Sequence, residues 1–179
     1  MNGLKNTLKL VLLSLCGVIL GSTGVSAGPE FHKVLNSKSS DDILIRVEAF
    51  PDQERVHPSG NFQFFVVVHL PPGWHIYSLR QKPVGEEVAT RIDLQSTAFR
   101  PQGGWQESTP QLTKDDVLGQ VLKTHHKRAE FFRFFQVPED LTPGTYFLAG
   151  SLTYRTCDNK VCTLPQTKRF RSRVILEDR

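Results

Sequence analysis

The chain has 179 residues, of which 39% are hydrophobic and 22% charged, and its formal net charge is +4. This length suits one domain, and the recurring apolar runs with a low net charge exclude an intrinsically disordered chain. Gly and Pro are scattered and no short period repeats, which excludes collagen-like, low-complexity and solenoid architectures.

The first 27 residues are predicted to be a cleaved signal peptide. Lys5 and Lys9 precede an apolar run over residues 10–20, which is shorter than the ~20 residues that a membrane-spanning helix needs. Residues 25–27, Val-Ser-Ala, are small residues of the kind that signal peptidase recognises. An uncleaved anchor helix is the alternative, and cleavage after residue 27 is the prediction.

Loss of this segment changes the charge and cysteine counts. We expect an N-terminal extension over residues 28–40 and a single domain over residues 41–179. The two lysines of the signal peptide lower the formal net charge from +4 to +2, which is too balanced to indicate nucleic-acid binding. Cys16 is lost with the signal peptide, whereas Cys157 and Cys162 remain. Two cysteines in an exported protein form a disulfide by default.

The domain is predicted to be all-β. Short segments of alternating or continuous apolar residues are separated by turns that contain Pro and Gly. The predicted strands lie at residues 43–47, 61–70, 74–77, 89–94, 131–137, 146–154 and 170–176. Short strands separated by such turns predict an immunoglobulin-like sandwich of two antiparallel sheets.

Residues 106–128 fit the strand pattern less well. The segment is long and polar, and Val117, Leu118, Val121 and Leu122 have the spacing of a short amphipathic helix. A connection of this length is usually functional or mobile. We therefore expect either a lid over a site or an ordinary variable insertion.

The segment over residues 154–165, Tyr-Arg-Thr-Cys-Asp-Asn-Lys-Val-Cys-Thr-Leu-Pro, is the one most suited to chemistry. Strand patterns flank a turn at residues 158–160, so Cys157 and Cys162 are predicted on neighbouring strands of a hairpin, close enough to bridge. A disulfide that closes so short a loop contributes only about 2 kcal/mol in the chain-entropy model. The spacing alone leaves open both a redox-active pair and a structural disulfide.

Two motifs resemble the N-terminal domain of the thiol:disulfide interchange protein DsbD family. Tyr-x-x-Cys-x4-Cys-x-x-Pro at residues 154–165 is similar to that family's cysteine hairpin. Gly-Trp-His-Ile-Tyr-Ser at residues 73–78 is similar to its Gly-Trp-His-x-Tyr-Ser stretch. The resemblance covers about residues 40–178, and the two motifs occur in the family's order.

The resemblance implies an immunoglobulin-like periplasmic domain that cycles Cys157 and Cys162 between dithiol and disulfide. Electrons would arrive from a membrane-embedded or thioredoxin-like donor and leave for periplasmic thioredoxin-like acceptor proteins. The domain would then be a component of a protein-disulfide reductase, and no cofactor is expected. By the same resemblance Cys162 would form the mixed disulfide and Cys157 would resolve it. Tyr154 would pack beside the pair, and Pro165 would fix the strand that leaves it.

Three features depart from the family's pattern. Leu164 stands before Pro165, where the family often has a second proline. The cap segment over residues 109–122 is longer and has no aromatic residue, so Leu118 or its neighbours would shield the pair. The family's membrane and thioredoxin-like domains do not occur in this chain, so we expect a stand-alone exported domain.

Other candidate sites are predicted to be structural. His69 and His75 fall in strand patterns, and the adjacent His125 and His126 cannot both easily bind one ion, so no metal site is expected. The acidic pair at residues 115–116 is predicted to be solvated. Two function classes remain: a periplasmic thiol–disulfide relay, and a non-redox immunoglobulin-like binding module with a structural hairpin disulfide.

Overall fold

A computed structural model of the chain describes residues 45–83 and 85–178. The predicted signal peptide, residues 1–27, and the predicted extension, residues 28–40, lie outside the described residues. Within the described part of the chain, no helix is both long and apolar enough to cross a membrane.

The described residues form twelve β-strands and a short 3-10 helix at Glu86–Val88. The strands are β1 (Arg46–Pro51), β2 (Arg55–Val56), β3 (Asn61–His69), β4 (His75–Tyr77), β5 (Arg91–Leu94), β6 (Arg100–Glu107), β7 (Gln111–Asp115), β8 (Gln120–His126), β9 (Arg128–Gln136), β10 (Gly144–Tyr154), β11 (Thr156–Cys157) and β12 (Gln166–Leu176). They pair in three sheets, with strand orders β1-β3-β9-β6 (the first sheet), β2-β12-β10-β5 (the second sheet) and β11-β4-β8-β7 (the third sheet). The short β2 pairs with β12 in parallel.

The first and second sheets face each other across the main core, because their long strands bury alternate residues. Side chains that point to one face of a strand recur every second residue, so a half-buried strand needs an apolar residue at every second position. The core members on β3, β9, β10 and β12 follow that period: Phe62, Phe64, Val66, Val68, Ala129, Phe131, Phe135, Leu148, Leu152, Tyr154, Phe170, Val174 and Leu176. The predicted immunoglobulin-like two-sheet sandwich is confirmed, and the third sheet adds to it.

Strands β7 and β8 form a hairpin where the sequence predicted a short amphipathic helix, and that prediction is wrong. Leu122 is 3% exposed and its neighbour Val121 is 63% exposed, which is the alternation of a strand with one buried face. The connecting turn is set by Asp115, whose Oδ1 accepts a hydrogen bond from the Leu118 backbone N–H at 2.8 Å. Gly119 closes the turn with a φ of +68°, a conformation that glycine adopts without strain.

Candidate functional site

The two cysteines of the hairpin form a disulfide whose sulfurs differ in their surroundings. Cys157 is fully buried, whereas Cys162 is partly exposed. Cys157 packs with Tyr77, Val88 and Leu122 in a small cluster that is separate from the main core. A thiol outside the protein therefore has easier access to the sulfur of Cys162 than to that of Cys157.

Hydrogen bonds close the cysteine hairpin independently of the disulfide. The Asp158 backbone N–H donates to the Val161 carbonyl at 3.0 Å, and the Thr163 N–H donates to the Thr156 carbonyl at 2.8 Å. Asp158 Oδ1 also accepts hydrogen bonds from the backbone N–H groups of Lys160 and Val161, at 2.7 and 2.8 Å. An Asp side chain that bonds the backbone just ahead of it is typical of a tight turn. The predicted turn chemistry thus holds the two strands together.

Tyr77 on β4 connects the disulfide to a buried carboxylate. Its hydroxyl oxygen lies 2.5 Å from Oδ2 of Asp115, 2.8 Å from Sγ of Cys157 and 3.7 Å from Sγ of Cys162. Burial raises the pKa of Tyr77 well above its usual value, and the hydrogen bond to Asp115 raises it further. The hydroxyl therefore stays protonated at neutral pH and is a hydrogen-bond donor beside the sulfur of Cys157.

Asp115 at the end of β7 is the charged group of this site. It is 1% exposed, and Oδ2 lies 3.4 Å from Nε2 of the buried His75. Burial opposes ionisation of Asp115, but hydrogen bonds from Tyr77, from the Leu118 backbone and from His75 outweigh burial and lower the pKa of the carboxyl. Burial also lowers the pKa of His75, although the Asp115 carboxylate opposes this shift. The site thus combines an ionised carboxylate with a neutral imidazole.

Strand pairing in the third sheet brings these residues together from distant positions. Strand β11 pairs with β4, which places Cys157 opposite His75. Strand β4 pairs with β8, and β8 pairs with β7, which carries Asp115. Tyr77 is 38 positions from Asp115 and 80 positions from Cys157. The prediction that Asp115 is solvated is wrong, because the third sheet buries the end of β7.

The predicted site-shaping residues lie in different places. Leu118 is partly buried and packs against the small cluster that contains Cys157, together with Cys162. Tyr154 is 1% exposed and belongs to the main core. Pro165 is exposed and directly precedes β12. The structure therefore brings Leu118 to the cysteine pair and places Tyr154 in the sandwich.

A partly buried carboxylate connects the third sheet to the first. Glu107 on β6 lies 3.0 Å from Nε2 of His125 on β8, and it accepts hydrogen bonds from the Ser78 hydroxyl at 2.6 Å and the Leu79 N–H at 3.0 Å. Burial opposes ionisation of Glu107, but the hydrogen bonds from His125, Ser78 and Leu79 outweigh it and lower the pKa. These bonds hold both β8 and the end of β4 in place, and so they hold Tyr77 in place.

No family model and no curated protein matches the chain. Among solved structures, the chain is similar to the N-terminal periplasmic domain of ScsB from Proteus mirabilis, with a TM-score of 0.47 and 22% identity over 71% of this chain and 44% of that one. It is also similar to the N-terminal domain of DsbD from Neisseria meningitidis in the reduced form, with a TM-score of 0.43 and 17% identity over 70% of this chain and 82% of that one. DsbD, whose family the two sequence motifs resemble, is thus named among the structural neighbours.

Proposed function

We propose that the protein is a thiol–disulfide exchange domain that relays electrons through Cys157 and Cys162. The observation that carries this proposal is the asymmetry of the disulfide, with one sulfur partly exposed and the other buried beside a hydroxyl donor. Exchange requires an accessible sulfur for attack and a leaving sulfur that is stabilised as it departs. Cys162 and Cys157 meet these two requirements respectively.

Reduction of the domain begins when a donor thiolate attacks Sγ of Cys162. A bond forms between the donor sulfur and Cys162, the Cys157–Cys162 bond breaks, and Cys157 departs as a thiolate with the electron pair. The Tyr77 hydroxyl, 2.8 Å from that sulfur, turns its one proton from Asp115 to the departing thiolate and donates a hydrogen bond to it. The second thiol of the donor then attacks the mixed disulfide. This attack releases the Cys162 sulfur as a thiolate and leaves the donor as a disulfide.

Delivery of the electrons follows the same path in reverse. The Cys162 thiolate attacks the disulfide of an acceptor protein and forms a mixed disulfide with it. Cys157 then attacks Sγ of Cys162, and the acceptor leaves with both of its sulfurs reduced. Two electrons pass in each cycle, and the domain returns to its disulfide form.

Two exposed apolar side chains beside Cys162 support a protein partner for this exchange. Val161 is 52% exposed and Leu164 is 76% exposed, and they flank Cys162 in the hairpin. Exposed apolar residues around a reactive group are typical of a contact surface. We infer that the donor is a membrane-embedded or thioredoxin-like protein and that the acceptor is a thioredoxin-like protein of the periplasm, as the resemblance of the two motifs implies.

A structural disulfide in a non-redox binding module is the competing function. It is favoured by the full burial of Cys157 in the small cluster, since structural cysteines are typically buried and inert. In that case Val161 and Leu164 would contact a partner without any exchange of electrons.

The reduction potential of the pair distinguishes the two functions. Purified protein is equilibrated in glutathione or dithiothreitol buffers of known potential, and free thiols are counted. A potential well above about −300 mV, with rapid exchange against a thioredoxin-like donor, is expected for a relay. A potential below that value with slow exchange overturns the relay and leaves the binding module.

The double variant Cys157→Ser/Cys162→Ser is the control for this measurement. Loss of a short-loop disulfide is expected to cost only about 2 kcal/mol of stability, so the variant is expected to fold. A relay loses all electron transfer in this variant, whereas a binding module keeps its partner.

A further inference from the structure

Three buried side chains of different chemistry converge beside the disulfide. His75, Asp115 and Cys157 are each at most 1% exposed. One ring nitrogen, one carboxylate oxygen and one sulfur from these residues all lie within 4.8 Å of one another. Nitrogen, oxygen and sulfur donors of these residue types are the ligands that Zn²⁺ binds in proteins. The sequence predicts no metal site here, because the three residues come from three different strands.

The distance between two of the donors already fits a tetrahedral zinc ion. Zinc bonds of about 2.0–2.2 Å to nitrogen and oxygen, at a tetrahedral angle, separate the two ligand atoms by about 3.4 Å. Nε2 of His75 lies 3.4 Å from Oδ2 of Asp115. Nε2 of His75 and Oδ2 of Asp115 therefore already have the separation of two ligands of a tetrahedral zinc ion.

Cys162 completes the set, but only when the disulfide is reduced. The thiolate, and not the disulfide sulfur, is the metal ligand, so the oxidised pair offers no sulfur for coordination. A dithiol reductant that passes two electrons to the Cys157–Cys162 bond becomes a disulfide itself and leaves two thiols in the hairpin. Each thiol that binds the metal releases its proton. The hairpin then supplies two sulfur donors to the same centre.

We propose that the reduced protein binds one Zn²⁺ through His75, Asp115, Cys157 and Cys162. A partner disulfide that takes up the two electrons of the cysteine thiolates, and so becomes a dithiol, releases the metal as the Cys157–Cys162 bond forms again. The inference rests on the proposed function only in requiring that the pair can be reduced and oxidised again by thiol–disulfide exchange. The Tyr77 hydroxyl, which lies 2.5 Å from Asp115 and 2.8 Å from Cys157, gives up these two acceptors when they turn to the metal. Metal binding and thiol exchange therefore compete for the same sulfurs.

Cobalt uptake by the reduced protein tests this site. The protein is reduced with a phosphine, freed of reductant by gel filtration without oxygen, and titrated with Co²⁺ as a spectroscopic substitute for Zn²⁺. We expect one Co²⁺ per chain, with thiolate-to-cobalt charge-transfer absorption and the d–d bands of a tetrahedral site. Added Zn²⁺ is expected to displace Co²⁺ and so to remove the charge-transfer absorption and the d–d bands. The same protein with its disulfide intact is expected to show neither absorption.

Two variants of the buried ligands and one matched control locate the site. His75→Gln and Asp115→Asn are each expected to weaken Co²⁺ binding by more than about tenfold. His69→Gln is the control, because His69 ends a strand of the first sheet and contacts Glu48. Equal binding by His75→Gln and His69→Gln, with circular dichroism showing both folded, overturns the proposed ligand set.

The comparison of oxidised with reduced wild-type protein is decisive even where a buried variant does not fold. Reduction without cobalt uptake overturns the metal site and leaves the electron relay standing. A disulfide that resists reduction in the native protein overturns both, because each needs the free thiols.

Discussion

The main core and the disulfide region bury different kinds of side chain. Between the first and second sheets the core is apolar, and Phe64 and Phe131 are fully buried there. Beside the disulfide, the third sheet buries Tyr77, His75 and the ionised Asp115. Apolar burial stabilises in proportion to its area, whereas a buried polar group costs free energy unless its hydrogen bonds are satisfied. The sandwich thus supplies stability, and the third sheet buries the polar groups on which the proposed exchange depends.

The largest effect on stability is expected in the main core, from Phe64→Ala. Its ring packs edge-on to that of Phe135, with 6.4 Å between the ring centroids, and lies 6.0 Å, centroid to centroid, from the ring of Phe170 in the second sheet. Truncation to Ala therefore leaves a cavity between the sheets. We expect the free energy of unfolding to fall by about 3–5 kcal/mol in urea denaturation. Phe50→Ala, at a ring that is 40% exposed, is the control and is expected to cost much less. Equal losses would show that the two sheets are not packed as described.

A smaller loss is expected from Asp115→Asn, with a dependence on pH. The change weakens hydrogen bonds from Tyr77 and Leu118 to a buried acceptor, which costs about 1–3 kcal/mol at pH 7. Because folding lowers the pKa of Asp115 below its usual 3.8, its contribution is present above that pH and is lost as the pH falls through the folded value.

Unfolding free energies measured between neutral pH and about pH 3 check this dependence. The wild type is expected to lose stability as the pH falls below about 4, and Asp115→Asn is expected to lose less. The exposed neighbour Asp116 gives the matched variant, and Asp116→Asn is expected to keep the wild-type profile. An unchanged slope in Asp115→Asn would contradict the ionised, hydrogen-bonded carboxylate.

Tyr77→Phe is expected to slow exchange, and also to lower stability because it removes a hydrogen bond to the buried Asp115. It removes the donor to the Cys157 sulfur, and a hydrogen bond to a charged group of about 1.4 kcal/mol corresponds to a tenfold slower reaction. Stopped-flow fluorescence of the exchange with a dithiol measures this change in rate. Tyr154→Phe removes a hydroxyl that has no partner in the described part of the chain, and it is expected to slow exchange less. Equal slowing would place Tyr154 beside the pair, as the resemblance implied.

The smallest effect on stability is expected at the surface, from Leu164→Ser. The side chain is 76% exposed, so the free energy of unfolding should change by no more than about 0.5 kcal/mol. Exchange with a thioredoxin-like protein is expected to slow, whereas exchange with glutathione is not. Leu112→Ser, at a side chain 73% exposed on the opposite edge of the third sheet, is the control. A Leu164→Ser variant that exchanges normally with protein partners would remove this residue from the contact surface.

The sandwich could be predicted because its strands carry their own signal. Alternating burial along β3, β10 and β12 appears in the sequence as alternating apolar residues. The strands β6 and β7 lie at sheet edges and are mostly exposed, so they lack that periodicity. In the β7–β8 hairpin, Val117, Leu118, Val121 and Leu122 have helical spacing, but the turn at Gly119 reverses the chain between them and no helix forms.

The candidate site was predictable only in part, for a related reason. Cys157 and Cys162 are five positions apart in one hairpin, so local sequence was enough to pair them. Asp115 reaches Tyr77 through the pairing of β4 with β8 and of β8 with β7. A single sequence carries no information on the register between such distant strands. Two signals were available: His75 and Tyr77 both belong to the Gly-Trp-His-Ile-Tyr-Ser motif, and they lie two positions apart, on the same face of a strand.

The hydrogen bonds of the cysteine hairpin have a kinetic consequence for the exchange cycle. The Asp158–Val161 and Thr156–Thr163 backbone bonds do not involve the cysteine sulfurs, so we expect the two cysteines to stay neighbours after reduction. Well-oriented groups in one molecule react as though one were present at an effective molarity of roughly 10⁵–10⁸ M. In the proposed cycle, Cys157 would therefore outcompete dissolved thiols for a mixed disulfide at Cys162, and the hairpin would set the lifetime of each covalent complex.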